Sequence, residues 1–144
     1  MSGIHSLARS PYFEGMAPEA LHAVLRAGSL LRVAPGEVLL RPGEDHRALH
    51  FVLEGSLEVR LEEGSGTVSR VGPGECFGEM AVIDGRPASA WVVATSAGEI
   101  LRVSGEKVFS DLLPQPGFAR GLLRLLSERL RQTLERQASW EQVR

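Results

Sequence analysis

Short runs of alternating apolar and polar residues, broken by glycine and proline, occupy the middle of this chain. The clearest is Ser56-Leu57-Glu58-Val59-Arg60-Leu61-Glu62, in which Leu57, Val59 and Leu61 share one face and the charges share the other. A period of two marks a half-buried strand. In the run from Ala48 to Glu54, Leu49, Phe51 and Leu53 fall on one side, and Glu54-Gly55 predicts a tight hairpin joining the two strands. Glu63-Gly64-Ser65-Gly66 reads as a second hairpin tip, with Glu62-Glu63 solvated, leading into Thr67 to Val71. Further strands are predicted over Ser29 to Val33, Val38 to Arg41, Ser89 to Ala94 and Glu99 to Ser104, with another ending at Cys76-Phe77. Pro-Gly-Glu occurs at 35–37, 42–44 and 73–75. In each, proline presets the first corner of a type II turn and glycine takes the positive φ of the second.

Helical periodicity is confined to the ends. Pro18 opens a segment with Leu21, Val24 and Leu25 on one stripe, a proline at the first helical position being pre-organised for the turn. From Phe118 to about Gln137, Leu122, Leu123, Leu125, Leu126, Leu130 and Leu134 recur at helical spacing. The pattern therefore predicts a mainly β fold with flanking helices: an eight-stranded jelly-roll barrel with an N-terminal helix and C-terminal helices. Closure into a barrel or a jelly roll removes the edges that such short strands would expose. The expected division is an N-terminal helical segment at 1–28, the jelly roll at 29–104 and C-terminal helices at 105–144.

At 144 residues the chain has room for one core, and 43% hydrophobic with 24% charged residues excludes a disordered or collagen-like chain. A net charge of -2 provides no field to hold the whole molecule on nucleic acid or an anionic membrane. The charge is divided, however. Residues 1–113 carry ten Lys+Arg against fifteen Asp+Glu, net -5, and residues 114–144 carry six Arg against three Glu, net +3. No run approaches the roughly 20 apolar residues of a membrane helix and the first residues lack a signal-peptide core, so a cytoplasmic protein with no membrane contact is expected. Cys76 is the one cysteine, and His5, His22, His46 and His50 are scattered, so neither a disulfide framework nor a metal site is expected. Cys76, with no nearby base, reads as a buried structural thiol.

One stretch breaks the strand rhythm, Cys76-Phe77-Gly78-Glu79-Met80-Ala81-Val82-Ile83-Asp84-Gly85-Arg86-Pro87-Ala88-Ser89-Ala90. Gly78 opens a helical turn from Glu79 to Ile83 that Gly85 and Pro87 stop. Two readings of this turn stand side by side. Its free N-terminal amides, from Gly78 to Ala81, form an anion site with Glu79 accepting from a ligand hydroxyl, or it is a plain helical connection with a surface glutamate.

The run Phe77-Gly78-Glu79-Met80-Ala81, followed by Pro87-Ala88-Ser89-Ala90, resembles the phosphate-binding cassette of the cyclic nucleotide-binding domain family, of the catabolite activator protein and protein kinase A regulatory subunit type. Gly36-Glu37-Val38-Leu39, Pro42-Gly43-Glu44 and Phe51-Val52-Leu53-Glu54-Gly55-Ser56-Leu57 resemble its early strands and glycine turns, in order. The resemblance covers almost the whole chain and implies a cyclic nucleotide ligand, cAMP or cGMP. Implied ligand-binding residues are Phe77, Gly78, Glu79, Met80, Ala81, Arg86, Ala88, Ser89 and Ala90. In nucleotide-binding members the cassette glutamate holds the ribose and an arginine nine residues later pairs with the phosphate; here that position is Ala88. Loss of one charge-assisted contact costs about 1.5–3 kcal/mol, so weak nucleotide binding is expected. Arg86 either supplies the missing cation or pairs with a glutamate or solvent at a loop corner.

No arrangement of nucleophile, base and orienting group appears around Ser89, Ser104 or Ser110, and no paired-carboxylate motif stands out, so no enzyme and no catalytic residue is expected. In the last helix Leu123, Leu126 and Leu130 continue through Thr133 and Gln137 to Trp140 at a/d spacing. That spacing predicts either packing on the barrel alone or a seam for a protein partner or a homodimer. The resembling transcription factors follow this helix with a helix-turn-helix, for which the residues before Arg144 leave no room, so no direct DNA binding is expected. Two functions follow: a stand-alone regulatory module sensing a cyclic nucleotide weakly, or a protein-interaction adaptor that has lost the nucleotide.

Overall fold

The structure, a computed structural model, describes residues 6–10, 13, 15–61 and 67–143, with the side chains of 67, 68 and 139–143 left out. The expected hairpin tip at 63–66, the Glu62-Glu63 pair and the side chain of Trp140 lie outside the described residues. After a helical turn at 6–8 come helix α1 (Pro18–Ala27) and strands β1 (Ser29–Val33), β2 (Val38–Leu40), β3 (Ala48–Glu54), β4 (Leu57–Arg60), β5 (Thr67–Val71) and β6 (Cys76–Phe77). Helix α2 (Glu79–Asp84) interrupts the strands, which resume as β7 (Trp91–Ala94) and β8 (Gly98–Ser104). Helix α3 (Gly105–Lys107) runs into a π-helical turn (Val108–Leu112), and helix α4 (Phe118–Val143) follows. No helix among the described residues is long and apolar enough to cross a membrane.

Among the described residues eight strands form two four-stranded antiparallel sheets, ordered β1-β8-β3-β6 and β2-β7-β4-β5. The mainly β class and the strand number therefore stand, and among the described residues no ladder closes the two sheets into one barrel. The expected β3-β4 hairpin is corrected. Residues 54 and 55 do make a turn, with Gly55 at φ +92°, but it carries the chain from one sheet into the other: β3 pairs with β6 and β8, β4 with β5 and β7. Gly55 is required there, because a Cβ would lie 2.8 Å from the carbonyl oxygen of Ala97.

The reason for the crossover is the burial of β3 on both faces, every residue from Ala48 to Leu53 being inaccessible. Leu49, Phe51 and Leu53 turn outward into a core shared with α1 and α4, while Val52 turns inward to meet Leu57, Val71, Val92 and Ile100 between the sheets. A strand buried on both faces needs partners in two layers rather than a solvated hairpin mate. In the outer core Phe13 stacks on Phe118 at 5.5 Å and meets Phe51 edge-on at 5.8 Å. That core draws on the first segment, the sheet and the last helix together.

Strand β2 ends one residue early, at Leu40, and β8 begins one early, at Gly98; two larger boundary shifts have local reasons. Leu61, expected on the buried face with Leu57 and Val59, lies past the end of β4 and is 60% exposed, following an irregularity in the ladder at Val59 and Arg60. The strand expected from Ser89 begins only at Trp91, because the backbone at Ala88 exchanges hydrogen bonds with Gly43 and Glu44 in a glycine turn. The three Pro-Gly-Glu glycines take φ of +86°, +87° and +85° at Gly36, Gly43 and Gly74, as their turns require.

Candidate functional site

Chain reversal at the end of β6 creates the site. Gly78 takes φ +86° and a Cβ there would come within 2.5 Å of the Ala48 carbonyl oxygen, so only glycine lets α2 start against β3. Gly85, at φ +71°, ends α2 by donating its N–H to the Ala81 carbonyl. His50 backs this corner, its ring stacked on Phe77 with centroids 4.6 Å apart and planes 4° from parallel. Burial, with His46 and Arg102 adding to it, lowers the His50 pKa from 6.5 to about 3, so a neutral ring backs Phe77.

Between this segment, the inner face of the second sheet and α4 lies a cavity of about 380 Å³. The residues singled out in the sequence all line it: Phe77 to Ala81, Arg86 and Ala88 to Ala90. Ala88 also packs against the inter-sheet core. Its backbone is fixed on both sides, with its N–H donating to Glu44 O and its carbonyl accepting from Gly43 N, each at 2.9 Å. Arg86 is exposed at the mouth, where its backbone N–H donates to Asp84 Oδ1 at 2.9 Å. Its guanidinium makes no ion pair among the described residues.

Helix α4 supplies the wall that the strand-and-turn reading missed. Arg129, Gln132, Thr133 and Arg136, spaced at i, i+3, i+4 and i+7, face the cavity. Arg129 Nη1 donates to Glu79 Oε1 at 2.7 Å, and its Nη2 donates to the Cys76 carbonyl. Glu79 is a buried acid, its side chain 8% exposed, and Arg129 is 26% exposed. Burial is the largest single influence and works against the Arg129 charge, but Glu79, Cys76 and Glu75 together raise the guanidinium pKa. The polar spacing was present in the sequence on the side opposite the exposed leucines; nothing in it showed that this side would meet Glu79.

The same geometry engages two positions of the expected a/d series elsewhere. Leu126 packs against the outer core and Thr133 lines the cavity, its hydroxyl donating to the Arg129 carbonyl. The leucines left outward are Leu123, Leu130 and Leu134. Cys76 is fully buried, and burial pushes its thiol pKa up, away from thiolate chemistry. Among the described residues no group of three His, Cys, Asp or Glu side chains is placed to hold a metal.

The model of the cyclic nucleotide-binding domain matches residues 30–113. The cyclic AMP receptor protein of Thermus thermophilus is 32% identical over 126 residues, covering 85% of this chain and 58% of that protein. A putative potassium channel protein of Rhodopseudomonas palustris is 30% identical over 124 residues, covering 85% of this chain and 30% of that protein. This chain thus spans less than two thirds of the length of either relative. Among solved structures, the Thermus thermophilus catabolite activator protein superposes with a TM-score of 0.78 at 30% identity, covering 92% of this chain and 63% of that one.

Proposed function

Since the chain belongs to the cyclic nucleotide-binding domain family, we propose that it is a cytoplasmic regulatory module whose cavity takes a cyclic nucleotide weakly and reports occupancy through α4. The observation that carries this reading is the ion pair of Glu79 with Arg129 in the cavity wall. Glu79 is the residue that the resemblance assigns to the ribose hydroxyl. A hydroxyl donating to this carboxylate shares it with Arg129, and a ligand that takes Oε1 displaces the guanidinium and frees α4 at that point. Occupancy of the cavity and the seating of α4 are in this way two sides of one equilibrium, and each shifts the other.

Two features support weak binding. The wall at Ala88 offers no cation, and the guanidinium nearest Glu79 is already committed to two acceptors. The same two features support a second reading, an adaptor that keeps the fold and uses α4 for a protein contact without a nucleotide. Titration calorimetry of the purified chain with cAMP and cGMP separates them. The sensor reading expects dissociation constants above about 1 μM, that is, binding free energies weaker than about -8 kcal/mol. Loss of that binding in Arg86→Ala would assign the phosphate contact to Arg86. No heat with either nucleotide, in folded protein at millimolar ligand, favours the adaptor.

A further inference from the structure

Helix α4 has two faces with different fates. Phe118, Leu122 and Leu125 are buried, and Arg129 closes on Glu79, but from Leu130 to Ala138 every side chain is exposed. The helix nevertheless continues to Val143. An isolated helical stretch of this length is marginal in water even with good formers. The outward face carries Leu123, Leu130 and Leu134, 66%, 61% and 57% exposed, with Ser127 between them. At 100° per residue these four fall in one narrow stripe, and Arg120, Arg131 and Arg124 follow it along one side. All three arginines are exposed, and none has an ion-pair partner among the described residues.

We infer that this stripe docks an acidic amphipathic helix of a different protein, its leucines giving the apolar contact and Arg120, Arg124 and Arg131 pairing with the partner's carboxylates. The inference rests on α4 being the element through which the module is read. Charge selects this occupant over a second copy of the chain. A second copy brings a segment of net +3 against another of net +3, whereas an acidic helix gains at each arginine and is steered to the stripe.

Sedimentation of the full chain and fluorescence anisotropy with two synthetic helical peptides test this. The peptides share one leucine stripe; one is flanked by glutamates, the other by lysines. The expected result is a monomeric chain that binds the acidic peptide about tenfold or more tightly than the basic one, with the difference shrinking as salt is raised. Arg120→Glu/Arg124→Glu/Arg131→Glu inverts the preference, and Leu130→Ala/Leu134→Ala removes binding of both peptides. These positions are solvent-exposed, so circular dichroism should confirm an unchanged fold. Equal affinity for the two peptides, or binding of neither by a monomeric chain, overturns the inference. A dimer that Leu130→Asp dissociates overturns it in favour of the second copy. The nucleotide titration proposed above is independent of these outcomes, so either reading can fail alone.

Discussion

Arg129 on the last helix and Glu79 at the start of α2, 50 residues apart in sequence, meet at 2.7 Å and join the cassette to the tail. Glu79 is inaccessible enough that its carboxylate depends on this partner, and Arg129 in turn lines the cavity beside it. Breaking such a pair from one side leaves a charge without compensation, which costs more than the pair contributes as a whole. Arg129→Ala should lower stability by about 1–3 kcal/mol, and Glu79→Gln by less, since the amide keeps an acceptor. The double variant Glu79→Gln/Arg129→Ala should cost clearly less than the two effects summed. Urea denaturation of the four proteins measures the coupling; strict additivity would mean that the pair is a surface contact only.

Ala88 lines the cavity with its backbone pinned from both sides by the Gly43 turn. An arginine placed there starts from a fixed Cα beside the cavity, with its backbone held by the turn. Ala88→Arg should therefore raise affinity for cAMP or cGMP by about tenfold or more, the value of one restored charge-assisted contact to an anion. Calorimetry on the folded variant is the measurement. No gain would mean that Arg129 keeps Glu79 from the ribose, and the variant should then be repeated with Arg129→Gln.

The histidine behind the cassette gives the protein a pH signature. His50 has a folded-state pKa of about 3 against 6.5 for the free group. Between those values the unfolded chain holds a proton that the folded chain does not, so stability rises with pH across the window and is lost as the solution is acidified through it. The slope from this one group approaches 1.4 kcal/mol per pH unit at its steepest. His46, also lowered by burial and Arg102, adds to it. In His50→Phe, which keeps a ring on Phe77, the dependence of unfolding free energy on pH between about 6.5 and 3 should flatten. An unchanged slope in urea titrations at several pH values would show that carboxylates alone carry the acid lability.

Most of the strand positions were legible in the chain because they rest on local signals; the cassette residues came from the resemblance, local pattern leaving the α2 turn open between an anion site and a plain connection, and Asp84 and Pro87 line the cavity besides those named. Positive-φ glycines after prolines fix turns, alternation at Leu57 and Val59 fixes a face, and Gly78 and Gly85 bracket α2. What local pattern cannot show is which layer a strand joins. Residues 48–53 read as one-sided because His50 and Ala48 look like weak apolar positions, yet both are buried, and the strand is covered on its two sides. The hairpin at Gly55 followed from that misreading. The α4 wall was hidden for a similar reason. Arg129 looks like any solvated arginine beside leucines, and only the path of the helix along the cavity brings it to Glu79.

Removing the tail separates the two roles of α4. A chain ended after about residue 127 keeps Phe118, Leu122 and Leu125, whose burial closes the outer core, and should retain a cooperative β fold by circular dichroism. It loses Arg129, so Glu79 is left as a buried carboxylate without its cation, and stability should fall by about 1–3 kcal/mol. The sign of a second substitution then identifies the cause. In the full chain Glu79→Gln removes half of an ion pair and destabilises; in the shortened chain it removes an unpaired buried charge and should stabilise. Thermal melts of the four proteins read this inversion directly. If Glu79→Gln lowers the melting temperature in both backgrounds, Glu79 owes its seating to the barrel rather than to Arg129, and α4 does not gate the cavity.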